Sequence, residues 1–260
     1  MNTPAELPRT RSERAVDILL AVPLGLLCHL AFALAVGTMA VFLAGGLQAG
    51  RGTLASPYGP ITDSLLAIQF PLLHSYLLTA RGRRRLARIV PGSRGPRLAI
   101  TIYALITSLQ LLATFWLWTP SGVVLWEPTG FPGVMAWSAY LASWVFLVRA
   151  IHDAGAGLQS GAVGWWSVLR GERLPTFTMP TRGLFRRCRQ PIYLGFLLVL
   201  WTAPVWSYDR LLLVFAWTPY CVLAPHLKEQ RFLRFYGAAF ASYRATVPYL
   251  IPRFTRKASS

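Results

Sequence analysis

The sequence predicts an all-α integral membrane protein with about six transmembrane helices, both termini in the cytoplasm and an interfacial amphipathic helix near the C-terminus. Three observations carry that prediction. The 260-residue chain is 54% hydrophobic and only 13% charged, with a mean hydropathy of +0.45, too apolar for a typical soluble domain. Apolar stretches of the length a hydrocarbon core demands, about 20 residues, recur along it. All but two of its 26 Lys and Arg residues, Arg51 and Arg210, fall on one side once the spans alternate.

The first apolar stretch, Ala15–Leu47, follows a polar segment (1–14) and is long enough to be tilted or partly interfacial. Basic residues before an apolar run also mark signal peptides. This run, however, far exceeds an h-region of about 7–15 residues and reads as a retained helix. Ile61–Ala80, Leu98–Trp118 and Val134–Ile151 follow as the second to fourth spans. Pro191–Trp206 and Leu211–Pro225 are shorter, and are expected to be buried by neighbours or to cross obliquely. The chain therefore divides into a polar tail (1–14), a membrane domain (15–226) with inner loops at 81–97 and 152–190, and a C-terminal segment (227–260). The opposite connections, Gly45–Pro60 and Thr119–Gly133, are short and rich in Gly, Pro and Ser. Loops long enough to hold function sit on one side only.

The net charge of +17 would point to nucleic acid in a soluble protein. Here the distribution decides. Placing the N-terminus outside the cytoplasm would invert the positive-inside rule almost completely. The basic excess is a topology signal, with attraction to anionic lipid as a by-product. The bilayer is thus the expected partner; no nucleic acid is expected, and no obligate protein partner is evident. Cys28 and Cys221 lie in apolar spans and Cys188 in an arginine cluster, which reads as three reduced thiols rather than a disulfide framework.

Two stretches carry chemistry. Arg186-Arg187-Cys188-Arg189-Gln190-Pro191-Ile192-Tyr193-Leu194-Gly195 leads into the fifth span. Pro191 suits a first helical turn, where its missing N–H costs nothing. Arg189 beside the free N–H groups of a helix start would hold an anion such as a carboxylate; the same run also serves as a plain positive-inside anchor. Gly195, one turn in, permits close approach of a ligand or a second helix. In the tail, Phe232, Leu233, Tyr236, Phe240 and Tyr243 follow Glu229 at helical steps of three and four. That spacing puts a carboxylate on the apolar face, with Lys228, Arg231 and Arg234 lining another. Its partner is either a nearby arginine or a cationic ligand. His29, His74, His152 with Asp153, and His226 lie in or at the ends of spans, where polar groups are candidates for function. His74 and Asp153 map to the cytoplasmic half, while His29 reads as structural. No pair has metal-ligand spacing, so no metal is expected, and no glycine-rich phosphate loop appears.

Together the two stretches resemble the isoprenylcysteine carboxyl methyltransferase family. Arg189-Gln190-Pro191-Ile192-Tyr193-Leu194-Gly195 resembles its Arg-His-Pro-x-Tyr-x-Gly motif. Glu229, Tyr236-Gly237, Phe240, Tyr243 and Val247-Pro248 resemble its Glu-Glu, Phe-Gly-x-x-Tyr-x-x-Tyr and Val-Pro ending, in the same order and one helical hairpin away. A more diffuse likeness, through Leu73-His74-Ser75, Phe115-Trp116-Leu117-Trp118 and residues 153–159, is to the bacterial branch that contains methanethiol S-methyltransferase. The resemblance implies a membrane enzyme of the bacterial inner membrane that takes a methyl group from S-adenosylmethionine at a site facing the cytoplasm. It assigns Arg189, Gln190, Pro191, Tyr193, Gly195, Glu229, Tyr243 and Arg244 to the cofactor pocket, which the C-terminal segment closes. The implied acceptor is small or lipophilic: first a volatile thiol such as methanethiol, then a prenylated cysteine carboxylate or a lipid amine. A thiol has to become a thiolate before it attacks, and His74 or Asp153 is expected as the base. Trp116 and Trp118 read as an interfacial aromatic belt in preference to an acceptor pocket.

Two positions depart from the family pattern. Gln190 stands where the family has His; it still donates and accepts hydrogen bonds but does not titrate near neutral pH. Lys228 replaces the first Glu of the Glu-Glu pair and reverses a charge beside a site expected to take a sulfonium. A nicotinamide-dependent membrane reductase and a non-catalytic relative are the competing readings. Cofactor choice separates the first, and cofactor binding without turnover marks the second.

Overall fold

The computed structural model describes residues 9–252. In chain order its elements are α1 (Arg11–Ala44), α2 (Tyr58–Leu77), α3 (Ala80–Ile89), α4 (Arg94–Trp116), β1 (Val124–Trp126), α5 (Gly130–Asp153), α6 (Ala156–Gln159) and α7 (Ala162–Arg170). A single 3-10 turn at Gly183–Arg186 follows, then α8 (Pro191–Thr202), β2 (Trp206–Ser207), α9 (Tyr208–Tyr236) and α10 (Ala238–Thr246). Each of the six stretches expected to span coincides with a helix. By length and composition α1, α4, α5 and α9 can cross a membrane, and the chain is an all-α integral membrane protein. α2 has 20 residues but carries Asp63, Gln69 and His74. α8 has only 12 residues, roughly 18 Å of rise, and is too short to cross alone. Of the tail expected at 1–14, residues 1–8 lie outside the described residues. α1 already begins at Arg11, where Thr10 and Glu13 close a capping box.

The chain divides into two compact units. The first runs to Val123 and takes in Gly155–Phe177. In it α1 packs on α4 and α7 around Ala21, Leu77, Leu86, Leu98, Ile102 and Val168. Gly25 makes this packing possible, because a Cβ there would sit 2.7 Å from Cγ of Trp165. Polar groups lock α7 at both ends. Thr101 Oγ1 donates to the Gly161 carbonyl at 2.7 Å and accepts from Trp165 N at 2.9 Å. At the other end the buried Arg97 donates to the carbonyls of Ser167 and Glu172 at 3.2 and 3.3 Å. Arg9 donates to those of Leu169 and Arg170, and with Arg94 it holds the buried Asp17 at 2.9 and 2.5 Å. The arginines of α3 point outward while Leu86 anchors the helix to the core.

The second unit is Val124–Ala154 with the chain from Thr178 onward. Here α8 packs on α5 and α9, and Gly195 lies against Leu147 so closely that a Cβ would stand 3.0 Å from its Cα. β1 and β2 form a short antiparallel ribbon, Val124 opposite Ser207 and Trp126 opposite Trp206. The fifth span was expected to reach Trp206, but α8 stops at Thr202. Pro204, just past the C-cap Ala203, ends the helix, and Arg210 satisfies that end. Fully buried, its guanidinium donates to Leu200 O (3.2 and 2.8 Å), Val205 O (2.7 Å) and Ala203 O, and lies 3.8 Å from the centre of the Trp206 ring. The last carbonyls of a helix have no partners within it, and hydrocarbon offers none; Arg210 supplies them. α9 passes through Pro219 and Pro225 without a break to Tyr236, so Glu229 lies near the end of the spanning helix, with Lys228 beside it. The separate amphipathic piece is α10, set off by Gly237 at φ +52°.

Arg210→Met keeps the length of the side chain and removes the donors, so it is predicted to destabilise the fold by roughly 2–4 kcal/mol. The check is thermal unfolding in detergent. Arg210→Lys, which keeps one charged donor, should lose less, and an unchanged midpoint in Arg210→Met would rule out the capping role.

Candidate functional site

In the second unit the start of α8 is stitched to the end of the described chain by two backbone bonds. Arg189 N donates to Pro248 O at 2.9 Å and Gln190 N to Tyr249 O at 3.1 Å. The Arg189 side chain then forks onto Glu229, Nε to Oε1 at 2.8 Å and Nη2 to Oε2 at 3.3 Å. Its Nη1 donates to the carbonyls of Arg244 and Val247 at 2.9 and 2.6 Å, at the C-terminal end of α10. One guanidinium thus joins α8, α9 and α10, the planar fork matching a carboxylate on one edge and carbonyls on the other. Gln190 Nε2 adds a second donor to Glu229 Oε1 at 2.9 Å, and Lys228 Nζ donates to Gln190 Oε1 at 3.3 Å. Arg244 Nε stands 3.8 Å from Glu229 Oε2. Glu229 and Gln190 are buried, at 3% and 2% exposure. Of the two partners open to Glu229, the structure supplies the arginine.

Aromatic rings surround this network. Lys228 Nζ lies 5.4, 5.8 and 5.9 Å from the ring centres of Phe232, Phe185 and Tyr193. Tyr249 lies under Arg189 at 5.6 Å and stacks on His226 at 4.6 Å. Tyr243 donates its hydroxyl to Phe185 O at 2.6 Å, and Tyr249 donates to Val222 O at 2.7 Å. Burial raises the phenol of Tyr243 above its ordinary value and pushes that of Tyr249 up to about 12. Burial also pushes the Cys188 thiol up to about 11. Burial thus favours the protonated form of all three.

Of the residues singled out from the sequence, Arg189, Gln190, Glu229 and Arg244 meet in one network. Tyr193 belongs to the ring set, and Tyr243 joins through the Phe185 carbonyl. Pro191 opens α8 at its first position, and Gly195 sets the α5 contact. Asp153, one of the two expected bases, is held by two donors. Its Oδ2 accepts from Leu184 N at 2.8 Å and its Oδ1 from Arg149 Nε at 3.0 Å, while Gly183, at φ +58°, packs flat against it. That anchors the 3-10 turn carrying Phe185. His74 lies in the first unit, its ring nitrogens 2.9 and 3.1 Å from the Tyr103 hydroxyl. Phe185, Phe232, Tyr249 and the ring-facing position of Lys228 were not foreseen as a set. Phe232 carried a signal, three residues after Glu229 on the helix, and Lys228 stood out as a charge reversal, but nothing tied either to the rings.

This is a multi-pass membrane protein whose polar site is built at the start of α8 and the end of α9. It is similar to Methanethiol S-methyltransferase 2 of Bradyrhizobium diazoefficiens, 28% identical over 200 residues covering 76% of this chain and 75% of that protein. It is also similar to a Methanethiol S-methyltransferase of Pseudomonas sp. (strain GM41(2012)), 27% identical with 88% of each chain covered. Nurim of Mus musculus is 30% identical over 181 residues, 66% of this chain and 68% of that one. The chain belongs to the isoprenylcysteine carboxyl methyltransferase-like family. No family model matches it, and no solved structure does.

With its pKa near 11, Cys188 is about one part in a thousand thiolate at pH 8. Iodoacetamide at pH 8 should therefore leave Cys188 unmodified in folded protein and alkylate it once the chain is denatured, as peptide mass spectrometry would show. Labelling of the folded protein at the rate of a free thiol would contradict the buried, protonated state.

Proposed function

We propose that this protein is an S-adenosylmethionine-dependent methyltransferase acting on a small or lipophilic acceptor, with the sulfur of a volatile thiol such as methanethiol as the first choice. The observation that carries the reading is the single buried network that joins Arg189 and Gln190 to Glu229 across 40 residues of sequence, in a chain similar to several methanethiol S-methyltransferases. The side chains present fit the cofactor. Rings that already face a cation suit a sulfonium, and the half-exposed Arg244 at the edge of the network suits a carboxylate. Bound S-adenosylmethionine supplies an electrophilic methyl group on a positively charged sulfur.

What the chain contributes in this reading is position and dryness. A sulfonium and a thiolate lose their opposite charges as the methyl moves, so a low-polarity site with aligned partners favours the step. Arg189 and Glu229 fix the start of α8 against α9, Gln190 orients the carboxylate, and Asp153 holds Phe185 in place. The positive-inside distribution supports a site facing the cytoplasm, and the bacterial methanethiol S-methyltransferase relatives favour an inner-membrane setting. Carboxyl methylation of a prenylated cysteine and methylation of a lipid amine are the alternative acceptor chemistries. A non-catalytic relative is the second reading, favoured by the Lys228 ammonium standing among the rings.

Detergent-purified protein is predicted to bind S-adenosylmethionine and, given a trideuteromethyl donor and methanethiol, to release dimethyl sulfide three mass units heavier into the headspace. Arg189→Ala and Glu229→Ala should abolish binding. Absence of cofactor binding in wild-type protein with a cooperative thermal transition would overturn the methyltransferase reading.

A further inference from the structure

Lys228 presents a cation to three rings drawn from three elements: Phe185 from the 3-10 turn, Tyr193 from α8 and Phe232 from α9. Such a set, with an ammonium 5.4–5.9 Å from each centre, is a seat for a positive charge, because each ring turns the negative face of its quadrupole toward it. Glu229 attracts the ammonium through space but makes no direct bond to it. Both oxygens of Glu229 are taken by Arg189, and one also by Gln190. Lys228 itself donates to the neutral Oε1 of Gln190. Its four-carbon stem leaves it free to carry the charge elsewhere, and the residue is half-buried.

We propose that Lys228 is a built-in competitor for the cation seat of this site. Its ammonium fills the cage of Phe185, Tyr193 and Phe232 while no donor is bound, and swings out when a sulfonium enters. The inference rests on the proposed function, since the incoming cation is the methyl donor. Its consequence is selectivity. Displacing Lys228 weakens the cationic donor but has little bearing on the neutral thioether, S-adenosylhomocysteine, that remains after transfer. The site therefore favours product over donor more than its contacts alone would dictate. The same device makes Lys228, a departure from the family pattern, the residue that sets how much donor the protein needs.

Calorimetric binding of S-adenosylmethionine and S-adenosylhomocysteine to wild-type protein, Lys228→Met and Lys228→Gln tests this. Both variants are expected to bind the donor about three- to thirtyfold more tightly, with the affinity for the thioether shifting less than about twofold on the same grounds. Lys228→Gln retains a donor toward Gln190, so agreement between the two variants assigns the effect to charge. A second measurement reads the cage directly. The sequence holds two lysines, Lys228 and Lys257, so reductive methylation with labelled formaldehyde gives few signals, and the one lost in Lys228→Arg is its own. That signal should be shifted upfield by the rings in donor-free protein and should move downfield on adding S-adenosylmethionine. An unshifted Lys228 signal in donor-free protein, or an unchanged donor-to-thioether affinity ratio when both ligands bind, overturns the competitor role and leaves the methyltransferase reading standing. Failure of both ligands to bind wild type and variants alike overturns both.

Discussion

An apolar surrounding offers no solvent to a buried charge or to a helix end, and at four buried charges this protein answers by pairing from within. Asp17, Arg97, Arg210 and Glu229 are all under a tenth exposed. Two are carboxylates clasped by arginines, Asp17 by Arg9 and Arg94 and Glu229 by Arg189. The other two are arginines spent on backbone, Arg97 at the end of α7 and Arg210 at the end of α8. The second use is the more economical one. A guanidinium brings several donors to carbonyls that also carry the negative end of the helix dipole, so one side chain satisfies its own charge and the unpaired carbonyls together.

The pairing also decides which parts of the second unit stand or fall together. Arg189 touches Glu229 on α9, the carbonyls that end α10 and, through its backbone, Pro248. Loss of one partner leaves the other as an unpaired buried charge, which is far worse than loss of both. The site geometry and the docking of the C-terminal segment are therefore one cooperative feature. Asp153 works on a smaller scale in the same way, binding the backbone of Leu184 and so presenting Phe185 to the ring set.

Much of this was legible in the sequence because it is written in periodicity and in local motifs. Apolar runs located the helices, and Glu229 on an apolar face announced a buried carboxylate needing a cation. The Arg189 stretch announced the proline-initiated α8. What escaped was whatever depends on where a helix stops or on contacts distant in the chain. A proline inside an apolar run reads as a boundary, yet α9 carries Pro219 and Pro225 to Tyr236. Arg210 reads as an outer-loop charge, because Pro204 marks where α8 ends but nothing local says that the chain folds Arg210 back onto those carbonyls. Asp153 and Leu184 lie 31 residues apart and share no pattern; a carboxylate at a helix end looks alike in sequence whether it takes a proton or holds a loop.

Gln190 and Lys228, the two departures from the family pattern, are hydrogen-bonded to each other, and this changes how they should be weighed. Taken singly, each removes something: a titratable ring, or a negative charge. Taken as a pair they make one consistent arrangement. An amide has a donor and an acceptor fixed on opposite sides, and Gln190 points its NH2 at Glu229 and its oxygen at Lys228. A histidine at 190 would match those two neighbours only as one neutral tautomer. Its protonated form, which a neighbouring carboxylate favours, has two donors and nothing to offer an ammonium. With lysine at 228 the glutamine therefore matches both neighbours without a protonation state of its own, whereas histidine would make that match depend on its protonation.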